Sequence, residues 1–223
     1  VLEHLGASIE LGKKQVEQVF DEVGMAFMFA PMFHPAMKHV MPARREIGFR
    51  TFFNILGPMV NPANVQRYVI GAFSKEVAEK MVHILANLGT DFAYTFNAND
   101  GLDEVSLTSQ SEIFELKDKV VSTSIMFDPE SIGYQKVNMD ELMGGGKEKN
   151  AEILINIMAN KATEAQQNIA VLNAAFAIQA SGRVAKLEEG KEMAEEALRS
   201  GKARKLFNDF VDATNDAMGT FKY

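Results

Sequence analysis

The sequence contains no cysteine. The protein therefore forms no disulfide, has no thiol nucleophile, and cannot build a cysteine-ligated zinc or iron–sulfur site. No run of about 18 apolar residues occurs, so we expect no membrane-spanning helix. No basic segment followed by an apolar one opens the sequence, and we therefore expect no signal peptide. We predict a cytoplasmic location for such a chain.

An excess of positive charge is also lacking. Lys and Arg together number 23 against 30 Asp and Glu, which gives a formal net charge of −7. We therefore expect neither a nucleic acid nor a membrane surface as a partner. The 223 residues are 47% hydrophobic and 24% charged, which is typical of a globular chain with a substantial core.

Several motifs of catalytic chemistry are missing. The sequence has no G-x-S-x-G nucleophile elbow, no H-E-x-x-H zinc motif, and no G-x-G-x-x-G after a predicted strand. The glycines at 144–146 precede Lys147, but they lack the spacing of a phosphate-binding loop and are typical of a linker. The sequence alone therefore names no catalytic residue.

Alternating strand and helix patterns predict an α/β fold. Apolar runs at 67–73 and 91–97 flank a helical pattern that begins after Ser74, a favourable N-cap residue. This succession predicts a parallel pair of strands, and a hairpin at 113–126 adds antiparallel strands. We expect a central mixed, largely parallel sheet flanked by helices.

Two further segments carry structural expectations. The short apolar run 25–30 lies between Gly24 and Pro31, and its length predicts a buried strand. The weak periodicity of 209–223 predicts an end that frays.

Acidic side chains follow the second predicted strand. Asp103 and Glu104 are adjacent, and the turn before them is rich in Asn, Asp and Gly. In open α/β sheets ligands bind at the carboxyl ends of strands, and two carboxylates there would suit Mg²⁺. A solvated turn that carries two surface acids is the alternative, and composition alone favours it.

Basic residues cluster earlier in the chain. Arg44 and Arg45 follow His34, and a guanidinium offers a planar fork for a carboxylate or a phosphate. A basic helix face that pairs with surface acids is the alternative. Gly57 and Pro58 would allow a close backbone approach to a ligand, or would simply end a helix.

In combination, these features closely resemble the anthranilate phosphoribosyltransferase family. The resemblance is carried in order and spacing by FMFAPMFHPAMKHV (27–40), ARREIGFRTFFNILGPMVNPA (43–63), GLDEVS (101–106) and NIAVLNAAFAI (168–178). It runs from Val1 to about Arg199. It implies an α/β domain that starts within 1–30 and continues through 63–223, with 31–62 as the remnant of a separate helical domain.

The resemblance implies a reaction and a site. The amine of anthranilate attacks C1′ of phosphoribosyl pyrophosphate and pyrophosphate leaves, which is a step of tryptophan biosynthesis. Mg²⁺ is the implied cofactor, with Asp103 and Glu104 as its ligands. Four residues are implied to contact anthranilate or to line its path: Arg44 at the carboxylate, and His34, Gly57 and Pro58 along the path.

Three segments of that family do not occur in this sequence: G-T-G-G-D, N-x-S-T and K-H-G-N-R. The resemblance places them in front of Val1, so we expect this chain to hold half of the site and to be inactive by itself. We also expect a homo-oligomer, because apolar residues of 34–60 would lose the helices that cover them. A pyrimidine nucleoside phosphorylase-like enzyme and a non-catalytic binding or assembly fragment of the same fold stay open as alternatives.

Overall fold

The computed structural model describes residues 1–34, 57, 59 and 61–220. The chain divides into two compact units. The first contains the described residues within Val1–Thr51, Gly144–Lys161 and Leu198–Tyr223, and the second contains those within Phe52–Met143 and Ala162–Ala197. The division expected at residues 30 and 62 stays a prediction, because most of 31–62 lies outside the described residues.

Helices dominate the described chain. They are α1 (Lys13–Val23), α2 (Ala30–Phe33), α3 (Lys75–Asn87), α4 (Met139–Leu142), α5 (Lys147–Met158), α6 (Glu164–Ala180), α7 (Leu187–Arg199) and α8 (Lys202–Thr220). The strands are β1 (Arg67–Gly71), β2 (Phe92–Ala98), β3 (Ser111–Lys117), β4 (Val120–Val121) and β5 (Ile125–Phe127), and a 3₁₀ turn spans Pro129–Ile132. Among the described helices, none combines the length and the apolar character needed to cross a membrane.

The core of the first unit joins the start of the chain to its last helix. Val16 and Val19 of α1 share a buried cluster with Phe210 and Ala213 of α8. The predicted fraying of 209–223 is therefore wrong for the described part, because α8 continues to its end with a buried apolar face. The partner of that face lies at the opposite end of the sequence, so periodicity within 209–223 does not reveal it.

The predicted strand at 25–30 is wrong. Its first five residues belong to neither a helix nor a strand, and α2 begins at the sixth. Met25 and Met28 pack against the helical core of the first unit. The ring of Phe27 stacks on that of Phe29, with centroids 6.4 Å apart. The apolar run therefore packs on helices instead of pairing in a sheet.

The second unit begins with the predicted β-α-β succession, which is confirmed. Strands β1 and β2 pair in parallel, with Gly71 opposite Phe96 at the end of the pairing. Ser74 caps α3, because its hydroxyl accepts a hydrogen bond of 3.3 Å from the N–H of Val77. Gly89 follows the helix with φ of +82°, a left-handed conformation that favours glycine.

The predicted mixed sheet is also confirmed. Its order is β1-β2-β3-β4. Strand β5 also pairs with β3, at the start of that strand, whereas β4 pairs with its end. One of the four described pairings is parallel and three are antiparallel, so the antiparallel share is larger than the sequence pattern indicates. The predicted hairpin turns at Asp118 and Lys119, both of which have positive φ.

Helices cover both faces of this sheet. Met81, Val82 and Leu85 of α3 pack on one face, together with Ala93 and Phe114 of the strands. On the other face α6 packs through Leu172 and Phe176 against Tyr94 and Phe96 of β2 and Ile113 of β3. Alternate residues of each strand point to opposite faces, so two separate apolar layers form. This sandwich fixes where β2 ends and its loop begins.

Candidate functional site

The loop that follows β2 carries the predicted metal ligands. We call residues 99–105 the carboxylate loop. The Asp100 carboxylate accepts hydrogen bonds from Oγ of Ser106 at 2.5 Å, from Oγ1 of Thr108, and from the N–H of Leu102 at 3.0 Å. Partial burial opposes ionisation of Asp100, but these hydrogen bonds outweigh it and lower the pKa of the carboxyl. Asp100 therefore organises the turn.

Asp103 and Glu104 come next, and both are exposed. Surrounding protein removes part of the hydration of the Glu104 carboxyl and raises its pKa, and the neighbouring charge of Asp103 raises it further. A cation bound to the pair would lower the pKa of Glu104, because it favours the ionised form.

The end of β1 approaches the carboxylate loop closely at Gly71. A Cβ added to Gly71 would lie 1.5 Å from the carbonyl oxygen of Asp103, so only glycine lets the two backbones pass. The side chain of Asn97 also ties the loop to Ala72, the residue that follows β1. Its Nδ2 donates to the carbonyl of Ala72 at 2.8 Å and to that of Leu102 at 3.4 Å.

Helix α6 holds the far end of the carboxylate loop through Asn173. Its Nδ2 donates to the carbonyl of Val105 at 2.9 Å, and its Oδ1 accepts from the N–H of Val105 at 3.0 Å. The same Nδ2 donates to the carbonyl of Ile169 at 3.0 Å. Both backbone polar groups of Val105, the residue directly after Glu104, are therefore hydrogen-bonded to α6.

The donor set fits a cation that takes few protein ligands. Within the described ranges, no three His, Asp or Glu side chains come together as a metal cluster. Mg²⁺ is usually bound by one or two carboxylates and completes its shell with water and substrate phosphates. Asp103 and Glu104 are an adjacent, exposed carboxylate pair, and they would hold Mg²⁺ in that way.

Only two of the other four predicted site residues lie within the part of the chain that the structure describes. Arg44 and Pro58 lie outside the described residues, so their contacts stay predictions. Gly57 is helical and exposed. His34 lies at the end of α2, where its N–H donates to the carbonyl of Ala30 at 2.9 Å and its side chain is half-buried. Asp103 and Glu104, neighbours in the sequence, both lie exposed on the carboxylate loop, and their role as metal ligands stays a prediction, like the roles of the other four residues.

Three residues that organise the site were missed by reasoning from sequence. Asp100 had a local signal, because an Asp side chain in a turn commonly accepts a hydrogen bond from the backbone N–H two residues on, here that of Leu102. Asn173 had a weaker one, as an amide in the largely apolar helical segment NIAVLNAAFAI. Gly71 had no signal beyond its place at the end of a predicted strand.

A cavity of about 680 Å³ lies at the opposite end of the sheet. Its lining includes Arg67 and Phe92, which begin β1 and β2, and Lys117, which ends β3. Because the carboxylate loop follows the other end of β2, this cavity is separate from the candidate metal site.

Comparison of sequences places the chain among known proteins. The family model described as "Glycosyl transferase family, a/b domain" matches residues 1–204. The anthranilate phosphoribosyltransferase of Salinibacter ruber is 43% identical over 220 residues, which cover 97% of this chain and 64% of that protein. The enzyme of the same name from Aquifex aeolicus is 37% identical over 214 residues, 96% of this chain and 62% of that protein. The chain therefore spans less than two thirds of the length of these relatives.

Solved structures agree with this placement. The crystal structure of anthranilate phosphoribosyltransferase from Thermus thermophilus superimposes with a TM-score of 0.86 at 33% identity, covering 96% of this chain and 63% of that one. The Saccharomyces cerevisiae enzyme in complex with PRPP and Mg gives a TM-score of 0.88 at 24% identity, over 96% and 62% of the two chains. The second likeness concerns the fold alone. The predicted resemblance is confirmed, and it extends beyond Arg199 into α8.

Proposed function

Because this chain belongs to the glycosyl transferase family whose a/b domain it matches, we propose that its site serves phosphoribosyl transfer from phosphoribosyl pyrophosphate to anthranilate. Pyrophosphate is the second product, and the reaction is a step of tryptophan biosynthesis. The observation that carries the proposal is the exposed pair Asp103 and Glu104 on a loop held at the carboxyl end of β2. Relatives that match nearly the whole chain bear the name anthranilate phosphoribosyltransferase, which supports it.

The reaction needs management of charge at the leaving group. A bond forms between the amine nitrogen and C1′, the bond from C1′ to the pyrophosphate oxygen breaks, and the oxygen keeps the electron pair. The amine releases one proton, which the solvent takes up. Asp103 and Glu104 alone would repel pyrophosphate, so in this proposal they hold Mg²⁺. When bound, Mg²⁺ neutralises negative charge on the departing pyrophosphate.

The acceptor needs orientation. In this proposal the Arg44 guanidinium, whose planar shape suits a carboxylate, contacts the carboxylate of anthranilate and so orients the amine. His34, Gly57 and Pro58 line the path of the aromatic ring. These assignments follow from the family motifs around 27–63.

The test uses this chain and a chimaera, because the chain spans 64% of the S. ruber relative. We would fuse the N-terminal segment of that relative in front of Val1 and measure pyrophosphate release with anthranilate, PRPP and Mg²⁺. The chimaera should turn over, and this chain alone should not. Replacing both ligands, Asp103→Asn with Glu104→Gln, should lower the rate of the chimaera by about 100-fold or more, since electrostatic stabilisers of developing charge contribute at that scale.

A matched control is Thr95→Val, which removes a buried hydrogen bond from Oγ1 to the carbonyl of Ala78 and leaves the carboxylate loop untouched. The control should retain turnover. A chimaera that stays active after loss of both carboxylates would contradict the proposal. Phosphorolysis of thymidine without pyrophosphate release would support the phosphorylase instead. A folded chimaera without either activity would support a binding or assembly role.

The proposal includes a cytoplasmic location and a homo-oligomeric state, with no nucleic acid or membrane partner. The apolar residues expected to drive association lie outside the described residues: Met37, Phe52, Phe53 and Ile55. Light scattering over a wide concentration range tests the oligomer, and a monomer throughout would contradict it.

A further inference from the structure

We propose that Asn173 is a positioning residue that sets the affinity of the Asp103–Glu104 pair for a divalent cation. This inference rests on the proposed metal role of the pair. Asn173 lies on α6, a helix that carries neither carboxylate, and it would act on them only through the backbone of Val105.

The amide of Asn173 is held in one orientation. Its Nδ2 has two hydrogens, and both are used, one by the carbonyl of Val105 and the other by the carbonyl of Ile169. Its Oδ1 accepts from the N–H of Val105. A flip of the amide would place donor against donor and acceptor against acceptor, so the contact with Val105 has one geometry.

The carboxylate loop depends on such contacts because it has no regular secondary structure of its own. On the side before the pair, Leu102 is held by the side chains of Asp100 and Asn97. On the side after the pair, Val105 is fully buried and is held by Asn173. The two ligands therefore lie between two fixed points, and loss of either point frees their backbone.

The cost of losing Asn173 is expected to appear in metal affinity. Residues that orient metal ligands typically contribute about 10- to 100-fold to affinity. The action of Asn173 passes through one backbone residue, so we expect the lower end, about 10-fold weaker binding.

The experiment measures Mn²⁺ binding to the whole chain by the electron paramagnetic resonance signal of the free ion. Asn173→Leu removes both contacts with Val105 at similar side-chain volume. Asn173→Ala removes the same contacts with a smaller side chain and adds no charge, so it should weaken binding to a similar extent, and it carries the comparison should N173L not fold. Thr95→Val is the matched control, since it removes a buried hydrogen bond in the same unit. The control should bind Mn²⁺ like the unchanged chain.

Amide hydrogen exchange gives a second readout. The Val105 N–H should exchange faster in N173L than in the control, because its acceptor is gone. Unchanged Mn²⁺ affinity in a folded N173L would overturn the inference, and so would an equal loss in T95V. The double variant D103N/E104Q separates a failure of the proposed metal site from a failure of the proposed role of Asn173. If D103N/E104Q binds Mn²⁺ as well as the unchanged chain, the proposed metal site itself is wrong. If D103N/E104Q loses Mn²⁺ affinity and N173L does not, only the proposed role of Asn173 is wrong.

Discussion

Replacing Gly71 by alanine tests how the fold holds the carboxylate loop. The new Cβ would lie 1.5 Å from the carbonyl oxygen of Asp103, whereas real Cβ contacts essentially never fall below 3.0 Å. Either β1 or the loop must therefore yield by about 1.5 Å. Overpacking of this kind lowers the free energy of unfolding by about 1–3 kcal/mol. Loss of the correct orientation of a metal ligand typically weakens metal affinity by about 10-fold or more. We therefore expect Gly71→Ala to weaken both stability and Mn²⁺ binding.

Urea unfolding and the Mn²⁺ titration described above measure the two effects. Gly219→Ala is the matched control, because a Cβ there meets nothing within 4 Å and the residue lies in α8. That variant should keep its Mn²⁺ affinity and lose no stability, since alanine is favoured over glycine within a helix. A G71A chain with unchanged stability and unchanged Mn²⁺ affinity would refute the reasoning from close approach.

Three further substitutions test single contacts by urea unfolding. Ser74→Ala removes the cap of α3 and should lower the free energy of unfolding by about 1 kcal/mol, so no loss would contradict the cap. Tyr134→Phe should leave stability equal or higher, because the buried hydroxyl has no hydrogen-bond partner within the described residues and such a group costs about 1–3 kcal/mol. A clear loss of stability would reveal a partner. Asp100→Asn should destabilise the chain at neutral pH. Because folding lowers the pKa of Asp100, its contribution is present above the unfolded pKa of about 3.9 and is lost as pH falls through the lower folded value. The difference between D100N and the unchanged chain should therefore shrink below about pH 4, and a constant difference would contradict the role of the ionised carboxylate.

Local signals allowed much of the second unit to be predicted. Ser74 and Gly89 mark the two ends of α3 through capping chemistry that involves only neighbouring residues. The apolar run of β2 and the turn-forming residues after it predict where the sheet ends. The family motif then assigns Asp103 and Glu104 to that place as metal ligands, a role that stays a prediction; the structure places both residues exposed on the loop.

Contacts between distant residues could not be predicted in this way. The apolar run at 25–30 suits a strand or a helical core equally, and only its surroundings in the first unit decided for the latter. The face of α8 likewise gains its meaning from α1, at the other end of the chain.

The sequence by itself determined which residues carry the charge of the site, because their identity and their order after β2 are local properties. Only the tertiary structure decided how that pair is held. Gly71 meets Asp103 through space, and Asn173 binds Val105 across 68 positions of sequence. Such contacts depend on how β1 and α6 pack around β2, and no pattern within one segment encodes that packing.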